Sequence, residues 1–307
     1  MTESTVEFLE SSDLISVPEA LRARAREQGY LFFRGLLPEH SVLAVRERIL
    51  QIVADHGWLA PGTEISDGIA DPAAFSAVPA SERTRCGRIP ESAYRAIQHL
   101  PEFHRLPHYP QLIRMYEALF GRAVLPHPRN IARVIVPTGE TVPTPPHQDF
   151  IHIQGSTDTW TAWIPLGDCP EELGGLSVLA GSHEEGLLSY REVDGAGGLE
   201  AYLCDLDYPW ATGAFAAGDV LTFDSRTVHR ARPHRGGDRI RLSCDFRYQP
   251  ADEVVDPSSL QVHCGVDTWE SIYAGWDDRS LAYYWQDRTL RLSEWDERIR
   301  WQQDRIC

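Results

Sequence analysis

The run Pro145-Pro146-His147-Gln-Asp149-Phe150 places an imidazole and a carboxylate two residues apart. On an extended strand, residues at that spacing point to the same side. His147 and Asp149 can then address one point and supply two of the three ligands of a two-histidine, one-carboxylate metal site. Such a site leaves positions open on a ferrous ion, and oxygen chemistry needs that vacancy. In a chain with 12 histidines, one His-x-Asp arises by chance about as often as not, so the pair is weak alone. His183-Glu-Glu185 is a rival, but it follows Ala-Gly-Ser and reads as a turn.

A second group of candidates lies downstream. Gly218-Asp-Val-Leu-Thr-Phe-Asp224 reads as a strand and is followed by Val228-His229-Arg230, which offers a further imidazole. After the Gly236-Gly237 turn, Ile240, Leu242, Cys244, Phe246 and Tyr248 share one face of a strand. Arg239, Arg241, Ser243, Asp245 and Arg247 share the other. An apolar face packs on helices, while a face this charged must meet water or a ligand. A planar guanidinium at the mouth of a barrel can grip a carboxylate through two parallel hydrogen bonds. The plainer alternative is a solvated edge of ordinary ion pairs.

The elements that must position these residues follow from pattern. Pro18 marks the first turn of a helix ending near Gly29, and Tyr30 to Arg34 is a short strand. Pro38 opens a second helix, with Leu43, Ile49, Leu50 and Val53 at helical spacing before Gly57. Leu59 to Pro90 shows no periodicity and is long enough to be a functional flap or a mobile connection. Two more helices are expected near Glu91 to His99 and Gln111 to Phe120, the second capped by Gly121. Ile131 to Val136, Thr159 to Ile164, Val220 to Phe223 and Ile240 to Tyr248 are β-type runs between Pro/Gly-rich turns, as in a sandwich or barrel. The tail, 251–307, returns to a helix-like pattern and carries five of the nine tryptophans. We read one domain over 1–307: a mainly helical part to 125, a β core over 126–250 and a helical extension over 251–307.

Composition removes several function classes. The chain has 307 residues, 42% of them apolar, enough for a large packed core. A net charge of −16 argues against nucleic acid and anionic membranes. All 29 basic residues are arginine. With no lysine, Schiff-base and pyridoxal phosphate chemistry are excluded, as is a Walker A loop. There is no Gly-x-Ser-x-Gly elbow, and Gly195-Ala-Gly-Gly198 lacks the third glycine of a dinucleotide fingerprint. No stretch has the roughly 18 apolar residues of a membrane span, and no signal segment is apparent. The six cysteines, Cys86, Cys169, Cys204, Cys244, Cys264 and Cys307, are scattered, which suggests free thiols and a cytoplasmic location.

In order and spacing, these motifs resemble the phytanoyl-CoA dioxygenase family of 2-oxoglutarate oxygenases. The residues carrying the resemblance are His147-Gln-Asp149, Trp160-Thr-Ala, Gly174-Gly-Leu, Gly181-Ser-His183, Gly218-Asp-Val, His229, and Arg239 ten residues later. Gly29-Tyr-Leu-Phe-Phe-Arg-Gly35 extends it, so that most of residues 17–249 are covered and the tail is not. The resemblance implies an α+β protein built on a double-stranded β-helix, a cupin-like jelly roll, with surrounding helices. It implies Fe(II) on His147, Asp149 and His229, with 2-oxoglutarate and O2 as cosubstrates. Arg239 would hold the distal carboxylate of 2-oxoglutarate, with Arg241 a rival on the same face and Trp160 beside the cosubstrate.

Two departures stand out. Arg230-Ala231 replaces the Gly-Ser that commonly follows the distal histidine, and a lysine used by some members has no counterpart. Arg133 or Asn130, on the preceding strand, could substitute. The implied reaction couples decarboxylation of 2-oxoglutarate to hydroxylation of a small metabolite or natural-product intermediate, with desaturation, cyclisation or epimerisation in some relatives. The presence of Asp149 argues against halogenation. The alternatives are a catalytically inactive jelly-roll binding protein and a metal-dependent hydrolase, although zinc hydrolases favour other ligand sets. A monomer or homodimer acting on a small molecule is expected.

Overall fold

The structure, a computed structural model, describes residues 3–83, 89–138, 142–194, 197–204 and 206–301. The sequence readings that fall on Cys86, Cys307 and Gly195-Ala196 lie outside the described residues, as do 84–88 of the 59–90 connection and 302–307 of the tail.

Eight α-helices occur among the described residues: α1 (Pro18–Gln28), α2 (Glu39–Asp55), α3 (Pro72–Ser76), α4 (Glu91–Gln98), α5 (Pro101–Arg105), α6 (Pro110–Phe120), α7 (Phe150–Ile153) and α8 (Trp269–Ala274). Proline opens α1, α3, α5 and α6, where a missing N–H costs no intrahelical bond. Helix α1 ends at Gly29 in the left-handed region (φ 70°), where a Cβ would come within 2.4 Å of His183 Nδ1. Helix α2 buries Val42, Val45, Ile49, Leu50 and Val53 along one stripe. Within the 59–90 connection, α3 is capped by Asp71, whose carboxylate accepts from the Ala74 N–H at 2.9 Å. The connection is thus more regular than its sequence pattern suggests, because local capping and the Leu59–Ala70 bridge organise it.

The β core consists of two facing sheets. In chain order the strands are β1 (Thr5–Glu7), β2 (Tyr30–Phe33), β3 (Val124–Pro126), β4 (Ile131–Ile135), β5 (Trp160–Pro165), β6 (Leu176–Leu179), β7 (Tyr190–Glu192), β8 (Leu199–Ala201), β9 (Trp210–Thr212), β10 (Val220–Asp224), β11 (His229–Ala231) and β12 (Arg241–Pro250). The larger sheet runs β2-β10-β5-β12-β3, with β4 also paired to β12, and all its pairings are antiparallel. The smaller runs β1-β9-β6-β11. This is the double-stranded β-helix expected from the motifs.

Strand alternation decides what each face of the larger sheet meets. Leu31 and Phe33, Trp160, Ala162 and Ile164, and Leu242, Cys244, Phe246 and Tyr248 pack outward against the helices. Tyr30 and Phe32, Trp163, Leu221 and Phe223 point inward and meet Leu176, Val178 and Ala211 of the smaller sheet. Each fully buried large side chain contributes about 1.5–3 kcal/mol. Every residue of β12 is buried, including Arg241, Ser243, Asp245 and Arg247 on its inner face. A charged inner face is not a solvated edge; it demands partners inside the barrel.

The tail departs from expectation. Among its described residues the α-helical part is the six-residue α8; 3-10 turns and a short parallel pairing of Val254–Val255 with Arg291–Leu292 make up the other regular structure. Pro257, Gly265 and Gly275 interrupt longer helices. Trp276 and Trp285 are buried against the helical core, with Trp269 packed beside Trp285. The cysteines also differ. Cys169 and Cys244 are free and buried, whereas Cys204 and Cys264 are disulfide-bonded.

Candidate metal and cosubstrate site

His229 opens β11, and His147 is bridged to it by backbone hydrogen bonds of 3.0 and 2.9 Å. Asp149 is not on a strand. It has helical backbone angles (φ −65°, ψ −31°) and starts α7, with Phe150 N–H donating to the Ser225 carbonyl. The expected strand alternation is therefore replaced by a bridge residue followed by a helical turn, and the two side chains still converge. His147 Nε2 lies 4.0 Å and His229 Nε2 3.9 Å from Asp149 Oδ1. The ligand atoms of the three residues lie within 4.8 Å of one another, and all three residues are buried. His183 is elsewhere, in a 3-10 turn with Nε2 on the Arg26 carbonyl.

Each imidazole is held in the tautomer a metal requires. His147 Nδ1–H donates to the Pro145 carbonyl at 2.8 Å, and His229 Nδ1–H to the Thr227 carbonyl at 3.0 Å. Both Nε2 lone pairs are left facing Asp149. Burial first, and then the neighbouring His229, push His147 down to about 3. Burial likewise lowers His229, so both rings are neutral. Burial alone would raise the Asp149 carboxyl. The Arg247 guanidinium, the two histidines and a hydrogen bond from Thr161 outweigh it and hold the carboxylate well below its ordinary range. Two neutral imidazoles and one carboxylate, with their outer atoms already bonded, fit a divalent iron ion.

A cavity of about 70 Å³ opens beside the triad. Thr161, Trp163, Phe223, Arg133, Asp245 and Arg241 are among the residues around it. Arg133 Nε is bonded to Asp245 at 2.8 Å, so this pair is neutralised. Arg241 is different. It is 6% exposed, its Nε and Nη1 have no hydrogen-bond partner among the described residues, and its guanidinium lies 5.8 Å from the Trp163 ring. A buried guanidinium with two open donors facing a cavity calls for an anion there.

Of the five residues that the sequence placed around a cosubstrate, Arg241 and Arg133 line this cavity. Arg239 does not. It is exposed, and its backbone is drawn to Ile69 by a bridge just before β12 begins. Trp160 sits on the outward face of β5, packed in the helical core, because the inward positions belong to Thr161 and Trp163. Asn130 is buried away from the cavity, with its amide on His104 Nδ1 at 3.0 Å. Sequence reading missed Thr161, Trp163 and the contact of Arg247 with Asp149. Alternation along β5 and β12 was the signal that could have found them.

The profile of the phytanoyl-CoA dioxygenase family (PhyH) matches residues 25–243, a span that contains the triad and Arg241. The chain belongs to the phytanoyl-CoA dioxygenase family. It is thereby an oxidoreductase of the iron- and 2-oxoglutarate-dependent class. Two family relatives are 1-deoxypentalenic acid 11-beta-hydroxylases. That of Streptomyces arenae is 26% identical over 269 residues, covering 82% of this chain and 88% of its own. That of Streptomyces exfoliatus is 26% identical over 264 residues with the same coverage. Among solved structures, the epimerase SnoN in complex with Fe3+, alpha ketoglutarate and nogalamycin RO aligns with TM-score 0.56 at 22% identity, covering 82% of this chain and 92% of that one. EvdO2 from Micromonospora carbonacea var. aurantiaca aligns with TM-score 0.53 at 20% identity, covering 78% and 93%. These likenesses are of fold, and they agree with the two-sheet barrel described above.

Proposed function

We propose that this protein is a non-haem Fe(II)- and 2-oxoglutarate-dependent dioxygenase that oxidises a small metabolite or natural-product intermediate. The observation that carries the reading is the juxtaposition of the His147–Asp149–His229 triad with an unpaired, buried Arg241 across one cavity. A zinc hydrolase has no use for such an arginine, and an inactive binding shell would have no reason to keep all three ligands. His147, Asp149 and His229 would hold iron. Arg241, rather than Arg239, would grip the distal carboxylate of 2-oxoglutarate, with Arg133 beside it.

When bound, iron with 2-oxoglutarate and O2 supplies oxidation of a substrate C–H bond as the cosubstrate becomes succinate and carbon dioxide. The chain's own share is geometric and electrostatic. Hydrogen bonds to Pro145 and Thr227 aim the two imidazoles, and Thr161 fixes the carboxylate at 2.6 Å. Trp163, Phe223, Leu176 and Ile135 line the cavity with apolar surface and keep water from it.

The two relatives named 1-deoxypentalenic acid 11-beta-hydroxylases support a small-molecule substrate of natural-product size. The net charge of −16 supports a small molecule rather than nucleic acid as partner. We read the chain as one domain, a monomer or homodimer, acting in the cytoplasm.

Adding Fe(II) and 2-oxoglutarate to the metal-free protein without oxygen tests the reading. A weak visible charge-transfer band, lost in His147→Ala, is expected. Absence of the band with tight zinc binding would overturn it in favour of a hydrolase or a binding protein.

A further inference from the structure

Two hollows meet at one edge of the smaller sheet. Along β6, β9 and β11, Leu176, Ala211 and His229 turn into the barrel, so Ser177, Thr212 and Arg230 turn out. These outward residues line a groove of about 770 Å³, far larger than the cavity of about 70 Å³ beside the triad. Pro143, Thr144, Ala231 and Arg232 line both.

The backbone explains how the two join. The segment leading to His147 runs beside β11, held by the paired His147–His229 bonds and by the Ala231 N–H on the Thr144 carbonyl at 3.1 Å. There the ladder stops. Pro143 has no N–H to continue it, and the Arg232 N–H turns away to the Gly175 carbonyl at 2.8 Å. The two segments part at this point, and the cavity lining reaches the surface: Val142, which belongs to it, is 47% exposed. Arg241 lies near this end of the cavity. His234, also in the lining, bonds through Nε2 to the Arg239 carbonyl at 2.7 Å, two residues before Arg241.

Among the described residues, Arg232 is the one charged side chain common to both linings. Its guanidinium is held along the groove by Thr212 Oγ1 and Glu171 Oε2, each at 2.9 Å. The ion pair is part-exposed, and a pair in such a place is weak enough to exchange for another carboxylate. Ser177, 2% exposed in the groove wall, has an Oγ with no hydrogen-bond partner among the described residues, which offers a second donor. Resting on the 2-oxoglutarate reading above, we propose that this groove is an outer binding site through which the dicarboxylate cosubstrate enters and succinate leaves. Arg232 draws the carboxylate to the gap by exchanging Glu171 for it. Arg232 thus steers the cosubstrate, whereas Arg241 holds it.

The test mixes the full chain, loaded anaerobically with Fe(II), with 2-oxoglutarate in a stopped-flow instrument and follows the visible band. The observed rate against concentration gives association from its slope and dissociation from its intercept. Thr144→Trp narrows the gap and should slow both by about fivefold or more, with the dissociation constant kept within about twofold. Arg232→Met should slow association about fivefold at low salt and less at high salt, with dissociation within about twofold, as for a charge at the rim of a site. Glu171→Gln frees the guanidinium and should speed association. Unchanged rates in Thr144→Trp overturn the proposal. An Arg232→Met that leaves association unchanged, or that acts through faster dissociation, overturns it as well. Should Thr144→Trp fail to fold, the opposite signs expected for Arg232→Met and Glu171→Gln decide. If the wild-type protein shows no band at all, it is the underlying iron and 2-oxoglutarate reading that fails.

Discussion

The Thr161 hydroxyl donates to Asp149 Oδ2 at 2.6 Å, and this bond orients the carboxylate so that Oδ1 faces Nε2 of both His147 and His229. Thr161 is fully buried on the inward face of β5, so the bond is shielded from water. Thr161→Val keeps the shape and removes the donor. Iron affinity should fall about 10- to 100-fold, the usual cost of losing a partner behind a metal ligand. Competition against a chromophoric chelator measures it, and an unchanged affinity would show that Asp149 needs no such support.

The two candidate arginines separate cleanly by experiment. Arg241→Met removes a buried guanidinium whose open donors face the cavity. The dissociation constant for 2-oxoglutarate should rise by about 30-fold or more, corresponding to at least about 2 kcal/mol. Arg239→Met changes an exposed side chain and should leave it within about twofold. The reverse ranking would return the anchor to Arg239.

Gln148, between the candidate ligands His147 and Asp149, works in the opposite direction from them. Its Nε2 donates to the Gly186 carbonyl at 2.7 Å, and its Oε1 accepts from Leu188 N–H at 2.9 Å and Tyr190 O–H at 2.7 Å. Gln148→Ala leaves several buried groups unpaired and should lower stability by about 3 kcal/mol, at about 1–3 kcal/mol for each group left open. Urea denaturation would detect this as a lower midpoint with unchanged slope. A loss below about 0.5 kcal/mol would mean that water replaces the side chain.

Acid should destabilise the helical layer before it reaches ordinary carboxylates. His104, His108 and His127 are each pushed down to about 4, in every case mainly by burial. At His104 the neutral ring donates from Nε2 to the Gln98 carbonyl and accepts at Nδ1 from Asn130, so a second proton would set two donors face to face. Above the free-histidine pKa of about 6.5, folded and unfolded states are both neutral and the stability is fully present. As pH falls from there toward 4, the unfolded chain takes up protons that the folded one refuses. Stability then drops by up to about 1.4 kcal/mol per pH unit for each ring. Urea midpoints between pH 7.5 and pH 4.5 should fall steeply in the wild type and less so in His104→Gln, whereas equal slopes would refute the assignment.

Much of the fold was legible because it rests on local chemistry. Pro18, Gly29, Pro38 and Gly121 bound helices close to where they were expected, since caps and breakers act within a turn of the residues they control. The alternation of β12 was readable for the same reason, and so was the family resemblance carried by His147, Asp149 and His229. The tail was misread because five tryptophans without sustained periodicity describe a packed surface as well as they describe a helix.

What the sequence determined by itself was the candidate triad of His147, Asp149 and His229 and the period-two pattern that turns Arg241, Ser243, Asp245 and Arg247 to one side. It could not say that Arg239 leaves that face, because a bridge to Ile69, 170 residues earlier, draws the strand's start aside. It could not rank Trp160 against Trp163, because both are apolar and only the position of the helical layer tells outside from inside. Nor could it reveal that Arg247 reaches Asp149. Those choices depend on which distant backbones lie side by side, and the free energy of burying charge is set by the neighbours that the tertiary structure brings, not by those along the chain.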